Sequence, residues 1–100
     1  MDNLWTWKGE YFGYREGDDL RTHDGRHIGR FHGDEVYSSQ GKYLGEVRRG
    51  RLIVNRQRGN RRKPIFTPST KRVGIVKRVG YVGYVMIVGF EEFPSPDDIS

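Results

Sequence analysis

The chain has 100 residues and contains neither cysteine nor alanine. Without cysteine it can form no disulfide and no thiolate metal site, and it has no cysteine nucleophile. The 14 glycines and the many β-branched and aromatic side chains favour strands and tight turns over helices. A domain of this length buries only about 60–65% of its unfolded surface, which leaves little room for an enclosed active site. These features predict a single all-β domain.

Long apolar runs are also lacking. The longest uncharged stretch covers residues 79–90 and includes three glycines, whereas a membrane-spanning helix needs about 20 apolar residues. The first residues do not show the basic and then apolar pattern that is typical of a secretion signal. We therefore expect a cytoplasmic protein that does not bind a membrane.

A glycine pattern recurs every sixteen residues. Gly-x-x-apolar-Gly is found at 9–13, 25–29 and 41–45. Each copy predicts a hairpin of two short strands, and the second glycine is expected at a bulge because the apolar residues that flank it must face the same side. A repeat that cannot bury its own apolar face must pack on its neighbours. The core is expected to contain apolar residues with the same spacing, namely Leu4, Leu20, Val36 and Leu52.

The spacing predicts four β-hairpin repeats of about sixteen residues. They cover residues 4–16, 20–32, 36–48 and 52–77. The fourth repeat has a basic insertion at its tip, residues 57–69, and Gly74 stands in place of its second glycine.

The Gly-x-x-apolar-Gly pattern, in four copies sixteen residues apart, resembles the four-fold β-flower proteins, which are small bacterial β-repeat proteins. The resemblance covers about residues 4–78 and implies pseudo-four-fold symmetry. It implies no functional residues, because the family has no established activity.

The apolar segment 81–90 lies beyond the repeats. Its β-propensity predicts an extra C-terminal strand that is buried on both faces. Alternatively, this strand is an edge that pairs with a second copy or docks on a partner protein, which describes a structural module. The acidic residues 91–100 are expected to form a mobile tail, so that the domain covers residues 1–90.

Charge is distributed unevenly along the chain. Residues 1–46 hold six basic and nine acidic residues, residues 47–90 hold twelve basic and no acidic residues, and the last ten hold four acidic ones. Arginine suits phosphate recognition because its guanidinium forms forked hydrogen bonds and stays charged. The basic segment 48–63 therefore predicts a binding module for nucleic acid, without sequence specificity, or for another anionic macromolecule such as an acidic protein. The candidate contacts are Arg56, Arg58, Arg61, Arg62 and Lys63, with Phe66 available for stacking on a base.

Structural interpretations of the same residues remain open. The basic strands can face acidic strands of other hairpins, and the acidic tail can fold over the basic surface. Ile65 and Phe66 can pin the insertion to the domain. A group of aromatic residues consists of Trp5, Trp7 and Tyr14. It can be a patch for a small ligand, and it is explained equally well as packing in the first hairpin.

Catalytic and metal-binding patterns are weak. His23, His27 and His32 occupy positions that vary between the repeats, so we expect no metal site. The acidic pairs at 18–19 and 34–35 lie in polar turns, where aspartate stabilises the turn through its own backbone. We therefore expect a protein that is not an enzyme and that needs no cofactor.

Overall fold

The computed structural model describes residues 2–99 of the chain, and its regular secondary structure consists almost entirely of strands. Two single-turn 3₁₀ helices, Arg56–Arg58 and Pro96–Asp98, are the exceptions within these residues. The all-β fold class is confirmed. The strands are β1 (Asp2–Thr6), β2 (Tyr11–Glu16), β3 (Asp19–Thr22), β4 (His27–His32), β5 (Glu35–Tyr37), β6 (Tyr43–Arg48), β7 (Arg51–Asn55) and β8 (Phe90–Glu92).

Seven of the strands form a closed barrel. Each strand from β1 to β7 pairs with the next in antiparallel orientation, and β1 closes the barrel by pairing in parallel with the start of β7. The closing pairs are Trp5 with Arg51 and Thr6 with Leu52. The eighth strand pairs with the remainder of β7. Because the barrel is closed, β1 to β7 leave no long unpaired edge on which another chain could add a strand.

The same irregularity occurs in three hairpins at a spacing of sixteen residues. The strand register shifts between β1 and β2, between β3 and β4, and between β5 and β6. Each shift lies next to the second glycine of the recurring pattern, where one strand carries an additional residue. The predicted bulges are thereby confirmed at Gly13, Gly29 and Gly45.

The core lies inside the barrel and uses the apolar positions that the spacing predicts. Leu4, Leu20, Val36 and Leu52 are each at most 4% exposed and belong to one cluster. Phenylalanine side chains from β2, β4 and the C-terminal segment complete this cluster, and they are Phe12, Phe31 and Phe93.

The fourth hairpin differs from its prediction. Its first strand, β7, begins near the expected residue, but residues 72–77 form no strand. β7 pairs instead with β8, so the insertion extends over 56–89 rather than over 57–69. The reason is that the amides of this segment bond to turns of the other hairpins instead of to β7.

The segment 81–90 is not the buried strand that its composition predicts. Val82, Val85 and Val88 are 89%, 91% and 98% exposed. A half-buried strand exposes every second residue, whereas here the highest exposure recurs at every third residue. The extra strand lies later, at Phe90–Glu92, and it brings residues of the predicted acidic tail into the sheet. Within residues 2–99, neither 3₁₀ helix has the length and apolar character needed to cross a membrane.

Residues 63–89, which we call the strap, bind the barrel at regular intervals. Strap amides nine residues apart donate to barrel carbonyls sixteen residues apart. The first set comprises Lys63, Arg72 and Tyr81, which donate to Gly41, Gly25 and Gly9 at 3.0, 3.0 and 2.8 Å. The second comprises Phe66, Ile75 and Tyr84, which donate to Ser39, His23 and Trp7 at 3.1, 2.8 and 3.0 Å.

The sequence of the strap repeats with the same nine-residue period. Residues 72–80 read RVGIVKRVG and residues 81–89 read YVGYVMIVG, with valine and glycine at matching places. A Cβ on Gly83 would approach the carbonyl oxygen of Lys8 to 2.7 Å, so this glycine is needed for the close passage of the strap over the first turn. The strap is thus a second repeat fitted onto the first.

Two buried arginines link the barrel to the strap. Arg21, 1% exposed, donates to the carbonyls of Gly25 in a barrel turn and of Thr70 ahead of the second strap unit, at 2.9 and 3.2 Å. Arg51, 7% exposed, donates in the same way to Trp7 and to Val82, at 3.1 and 2.9 Å. Each guanidinium therefore donates hydrogen bonds to one carbonyl of the barrel and to one carbonyl of the strap.

Replacing Gly25 tests whether the strap depends on the turn glycines. Gly25 and Gly17 both have positive φ, but a Cβ on Gly25 would overlap the carbonyl of Arg72, whereas a Cβ on Gly17 meets no atom within 4 Å. Gly17→Ala should cost about 1 kcal/mol from backbone strain alone, or about 4–8 °C in Tm. Gly25→Ala should cost at least about 2 kcal/mol more, because the strap must also move. Circular dichroism measures both melting transitions.

Trypsin provides the second readout of this prediction. Cleavage in the strap after Lys71 or Arg72 should accelerate in Gly25→Ala and not in Gly17→Ala. Equal losses of stability and equal cleavage rates in the two variants would show that the strap does not rest on this turn.

Candidate nucleic-acid interface

Two of the predicted anion contacts are engaged by carboxylates. Arg58 lies 2.8 Å from Glu35 and 2.9 Å from Glu46, and Arg61 lies 2.7 Å from Glu35. Burial works to raise the pKa of Glu35, but the Tyr37 hydroxyl and the two guanidinium groups together hold this pKa below its ordinary value. This cluster matches the structural interpretation, in which basic residues face acidic strands.

The other predicted cations lie in different surroundings. The guanidinium of Arg62 donates to the backbone carbonyls of Gly59 and Arg61. The ammonium of Lys63 lies 5.9 Å from the centre of the Tyr37 ring, and Arg56 is exposed. The structure therefore does not gather the predicted set around one cavity.

Phe66 packs against the barrel. Its ring stacks on His27 at 5.2 Å, and the guanidinium of Arg30 lies 4.3 Å from its centre. Ile65 is 77% exposed and does not share this packing. The contacts of Phe66 agree with the interpretation that it pins the insertion to the domain.

His27 is buried beneath Phe66 and connects β4 to the segment before the strap repeat. Its Nε2 lies 2.9 Å from the carbonyl of Gly29 and 3.1 Å from the carboxylate of Asp19. Its Nδ1 accepts a hydrogen bond from the amide of Ser69 at 2.8 Å, which requires the neutral ring with the proton on Nε2. Burial lowers the pKa of His27, although Asp19 works in the opposite direction.

Three adjoining grooves lie where the strap passes β1 and the turn between β6 and β7. The first, of about 620 Å³, includes Trp5, Lys77, Arg78 and Tyr81. The second, of about 570 Å³, is lined by Trp7, Arg48, Arg49, Tyr84, Val85 and Ile87. The third, of about 320 Å³, adjoins both, since it shares Trp5 and Tyr81 with the first and Arg49 and Tyr84 with the second.

We call these three grooves together the aromatic groove. Its lining contains four aromatic residues and five basic residues and no carboxylate. Two of the arginines already have protein partners, since Arg48 pairs with Glu46 at 3.2 Å and Arg51 holds the strap. The cations that remain for an anionic ligand are Arg49, Lys77 and Arg78.

The tyrosines of the aromatic groove are backed by tryptophans. Tyr81 lies 4.8 Å from Trp5 and Tyr84 lies 4.9 Å from Trp7, measured between ring centres. The tyrosines are 59% and 42% exposed, so each leaves a substantial part of its surface to solvent. The indole N–H groups of the tryptophans donate to the carbonyls of Val79 and Val85 at 3.0 Å, which fixes the indole rings. The supported ring of Tyr81 is suited to stacking on a planar ligand. The ring of Tyr84 already carries the guanidinium of Arg51, which lies 3.9 Å from its centre.

Arg49 adopts a backbone conformation that other turns reserve for glycine. Its φ is 53°, and it is the only residue other than glycine with positive φ among residues 2–99. Gly33 and Gly17, which occupy the same place sixteen and thirty-two residues earlier, have φ of 66° and 60°. A left-handed conformation costs a side-chain-bearing residue about 1–2 kcal/mol. The chain therefore places an arginine at this position against its backbone preference.

The chain was compared with protein-family models, with curated proteins and with solved structures, and none of them matches it. In the part of the chain that the structure describes, no group of three or more histidine, aspartate or glutamate side chains is arranged to hold a metal ion.

The aromatic groove was predicted from the sequence only in part. Trp5 and Trp7 belong to the aromatic group for which a ligand patch is one interpretation, but Tyr14 of that group lies outside the groove, and the tyrosines of the strap were not predicted. The basic segment 48–63 includes Arg49, but charge alone does not distinguish this residue from its neighbours. The sixteen-residue register contains the missing information, because it aligns Arg49 with Gly17 and Gly33. The nine-residue repeat in turn aligns Tyr81 and Tyr84 with Arg72 and Ile75 of the preceding strap unit.

Stability should depend on the protonation of His27. Because the folded-state pKa lies below the ordinary value of about 6.5, its contribution is complete above that pH and is lost as the pH falls below it. The charged groups around the ring are Asp19 and Arg21 from β3 and Arg30 from β4. A protonated ring cannot accept the amide of Ser69. Denaturant unfolding between about pH 7.5 and pH 5.5 measures the effect.

His27→Gln should be less stable than the native chain at neutral pH and should lose less stability between these two values. His32→Gln is the control, because His32 is exposed, and it should keep the native pH dependence. A His27→Gln variant with the native pH dependence would assign the titration to another group.

Proposed function

We propose that the protein binds single-stranded nucleic acid, without sequence specificity, in the aromatic groove. The observation that carries this proposal is the lining of the groove, which combines four aromatic and five basic residues and includes no carboxylate. Single-strand binding proteins combine a positive groove that follows the phosphates with aromatic rings on which bases stack. In this arrangement Tyr81 receives a base, and Arg49, Lys77 and Arg78 contact phosphates.

The geometry favours single strands over duplex for two reasons. A stacking surface acts only on unpaired bases, whose faces are free. Duplex DNA is read in the major groove by an α-helix or a two-stranded ribbon, and the described chain has no α-helix and a closed barrel. The proposal is for binding and includes no catalytic step.

The strained backbone of Arg49 supports the same site. Arg49 lines both the second and the third groove, and its guanidinium lies 6.0 Å from the centre of the Tyr84 ring. An arginine at the mouth of two grooves provides a forked donor for phosphate beside a stacking ring. The backbone cost at this position is explained if the side chain is needed for the ligand.

The proposal keeps nucleic acid, the partner predicted from the sequence, but places most of its contacts in the aromatic groove instead of in the basic segment. The sequence predicts contacts at Arg56, Arg58, Arg61, Arg62, Lys63 and Phe66, and these residues remain a second candidate surface. The aromatic groove is the better site because Arg58 and Arg61 already pair with Glu35 and Glu46.

Membership of the four-fold β-flower family is also a proposal. It is supported by three hairpins that repeat every sixteen residues with the same turn bonds. Within them the amides of Thr6, Thr22 and Ser38 donate to the carbonyls of Glu10, Arg26 and Lys42 at 2.7, 3.0 and 2.8 Å. The expectation of a bacterial, cytoplasmic protein rests on this resemblance and on the sequence alone.

Arg49→Gly is the most direct test of the site. Fluorescence anisotropy with a labelled oligothymidylate should show binding about tenfold weaker, as for the loss of one charge-assisted hydrogen bond. The plot of log affinity against log salt should become shallower by about 0.7, the value for one phosphate contact on a single strand. The melting temperature should stay unchanged or rise, because glycine relieves the backbone strain.

Arg56→Ser is the matched control, since it removes the same charge from an exposed position outside the groove. It should weaken binding by less than about twofold, because an exposed charge away from the ligand is screened by salt. Tyr81→Ala should weaken binding by about fivefold or more through the loss of stacking on one base. Equal effects of Arg49→Gly and Arg56→Ser, with no effect of Tyr81→Ala, would refute binding in the groove and indicate general charge attraction.

A further inference from the structure

The outer face of the strap carries a continuous row of exposed valines. Six valines occur at intervals of three residues, and each is 87–98% exposed. Soluble monomers rarely expose apolar patches larger than about 300–600 Å². We call these residues the valine row, which consists of Val73, Val76, Val79, Val82, Val85 and Val88.

The barrel itself fixes the outward direction of these side chains. Three carbonyls of the valine row, those of Val79, Val82 and Val85, accept hydrogen bonds from Trp5, Arg51 and Trp7 at 3.0, 2.9 and 3.0 Å. These carbonyls therefore point inward, so that the valine side chains remain on the outer face. A chain with a three-residue period, such as polyproline II, repeats its side chains on one face about every 9 Å.

We propose that the valine row is the interface of a homodimer in which two straps pack antiparallel to each other. The area fits this arrangement. A valine offers about 100 Å² of apolar surface, which gives roughly 600 Å² for the row. Each partner of a standard interface buries about 800 Å². The exposed surface of Met86 lies beside the row and supplies part of the difference.

A second copy is the occupant that fits the spacing. Two identical rows have the same interval between valines, so the side chains of one copy can enter the gaps of the other. A β-strand repeats on one face about every 7 Å, and it would lose register with the valine row after two or three residues. The contact is isologous, as expected for a dimer with two-fold symmetry.

Charge selects the antiparallel orientation. The half of the strap between Val79 and Val88 has no charged residue, whereas Lys77 and Arg78 precede it and Glu91 follows it. With Val82 of one copy beside Val85 of the other, Lys77 and Arg78 of each copy lie near the exposed Glu91 of the other. A parallel arrangement would place these cations beside each other, which is unfavourable.

The mass of the protein in solution tests the dimer. Sedimentation velocity over a wide range of concentration should show the native chain as a dimer. Val82→Asp and Val88→Asp should each be monomeric at concentrations where the native chain is a dimer, because a charge would be buried without a partner. Ile65→Asp is the matched control, since Ile65 is also exposed but lies outside the valine row, and it should remain a dimer.

A native chain that is monomeric at all concentrations would overturn the proposal, as would Val82→Asp and Val88→Asp variants that both keep the native mass. If circular dichroism shows that Val82→Asp is misfolded, Val88→Asp decides, because a side chain 98% exposed can be replaced without loss of the fold. Charge reversal tests the orientation. Lys77→Glu should weaken the dimer and Lys77→Glu with Glu91→Lys should restore it, whereas a dimer strengthened by Lys77→Glu alone would contradict the antiparallel arrangement.

Discussion

The described structure depends on the attachment of the strap to the barrel. Arg21 and Arg51 are almost completely buried, and each donates to one carbonyl of a barrel turn and one carbonyl of the segment that passes over it. A buried charge is costly unless its hydrogen-bonding groups have partners. Removing the strap would leave both guanidinium groups with fewer acceptors, so barrel and strap stabilise each other. The two repeats also match in space, because each nine-residue unit of the strap bonds to one sixteen-residue hairpin of the barrel.

The surface features follow from this attachment. The aromatic groove exists because the strap brings Tyr81 and Tyr84 against two tryptophans of the barrel. The valine row exists because the carbonyls of the strap face inward. One irregular segment therefore provides the walls of a proposed ligand site and a proposed dimer contact, although it forms no strand. The ligand and the second copy would compete for it, because both use Lys77 and Arg78. The buried barrel core serves mainly to hold the turns on which the strap rests.

Much of the barrel could be predicted from the sequence, because the interactions that build it are local. The spacing of Leu4, Leu20, Val36 and Leu52 identifies the core, and the glycines identify the bulges. The strap could not be predicted in the same way, because valine normally indicates a buried strand, whereas the strap exposes its valines. Its position is decided by contacts with residues far away in sequence, such as the bond between Trp7 and Val85. For the same reason the charge pattern identified Arg58 and Arg61 as contacts for an anionic partner. It could not show that both already pair with carboxylates on β5 and β6.

Amide hydrogen exchange, followed by NMR, tests the central claim that the strap is bound to the barrel at intervals of nine residues. Six amides that donate to barrel carbonyls should exchange slowly, and they are those of Lys63, Phe66, Arg72, Ile75, Tyr81 and Tyr84. The amides of Val73 and Val82, which follow Arg72 and Tyr81 in equivalent places, should exchange much faster. Uniformly fast exchange throughout residues 63–89 would contradict the account, since it would mean that the strap is not held on the barrel.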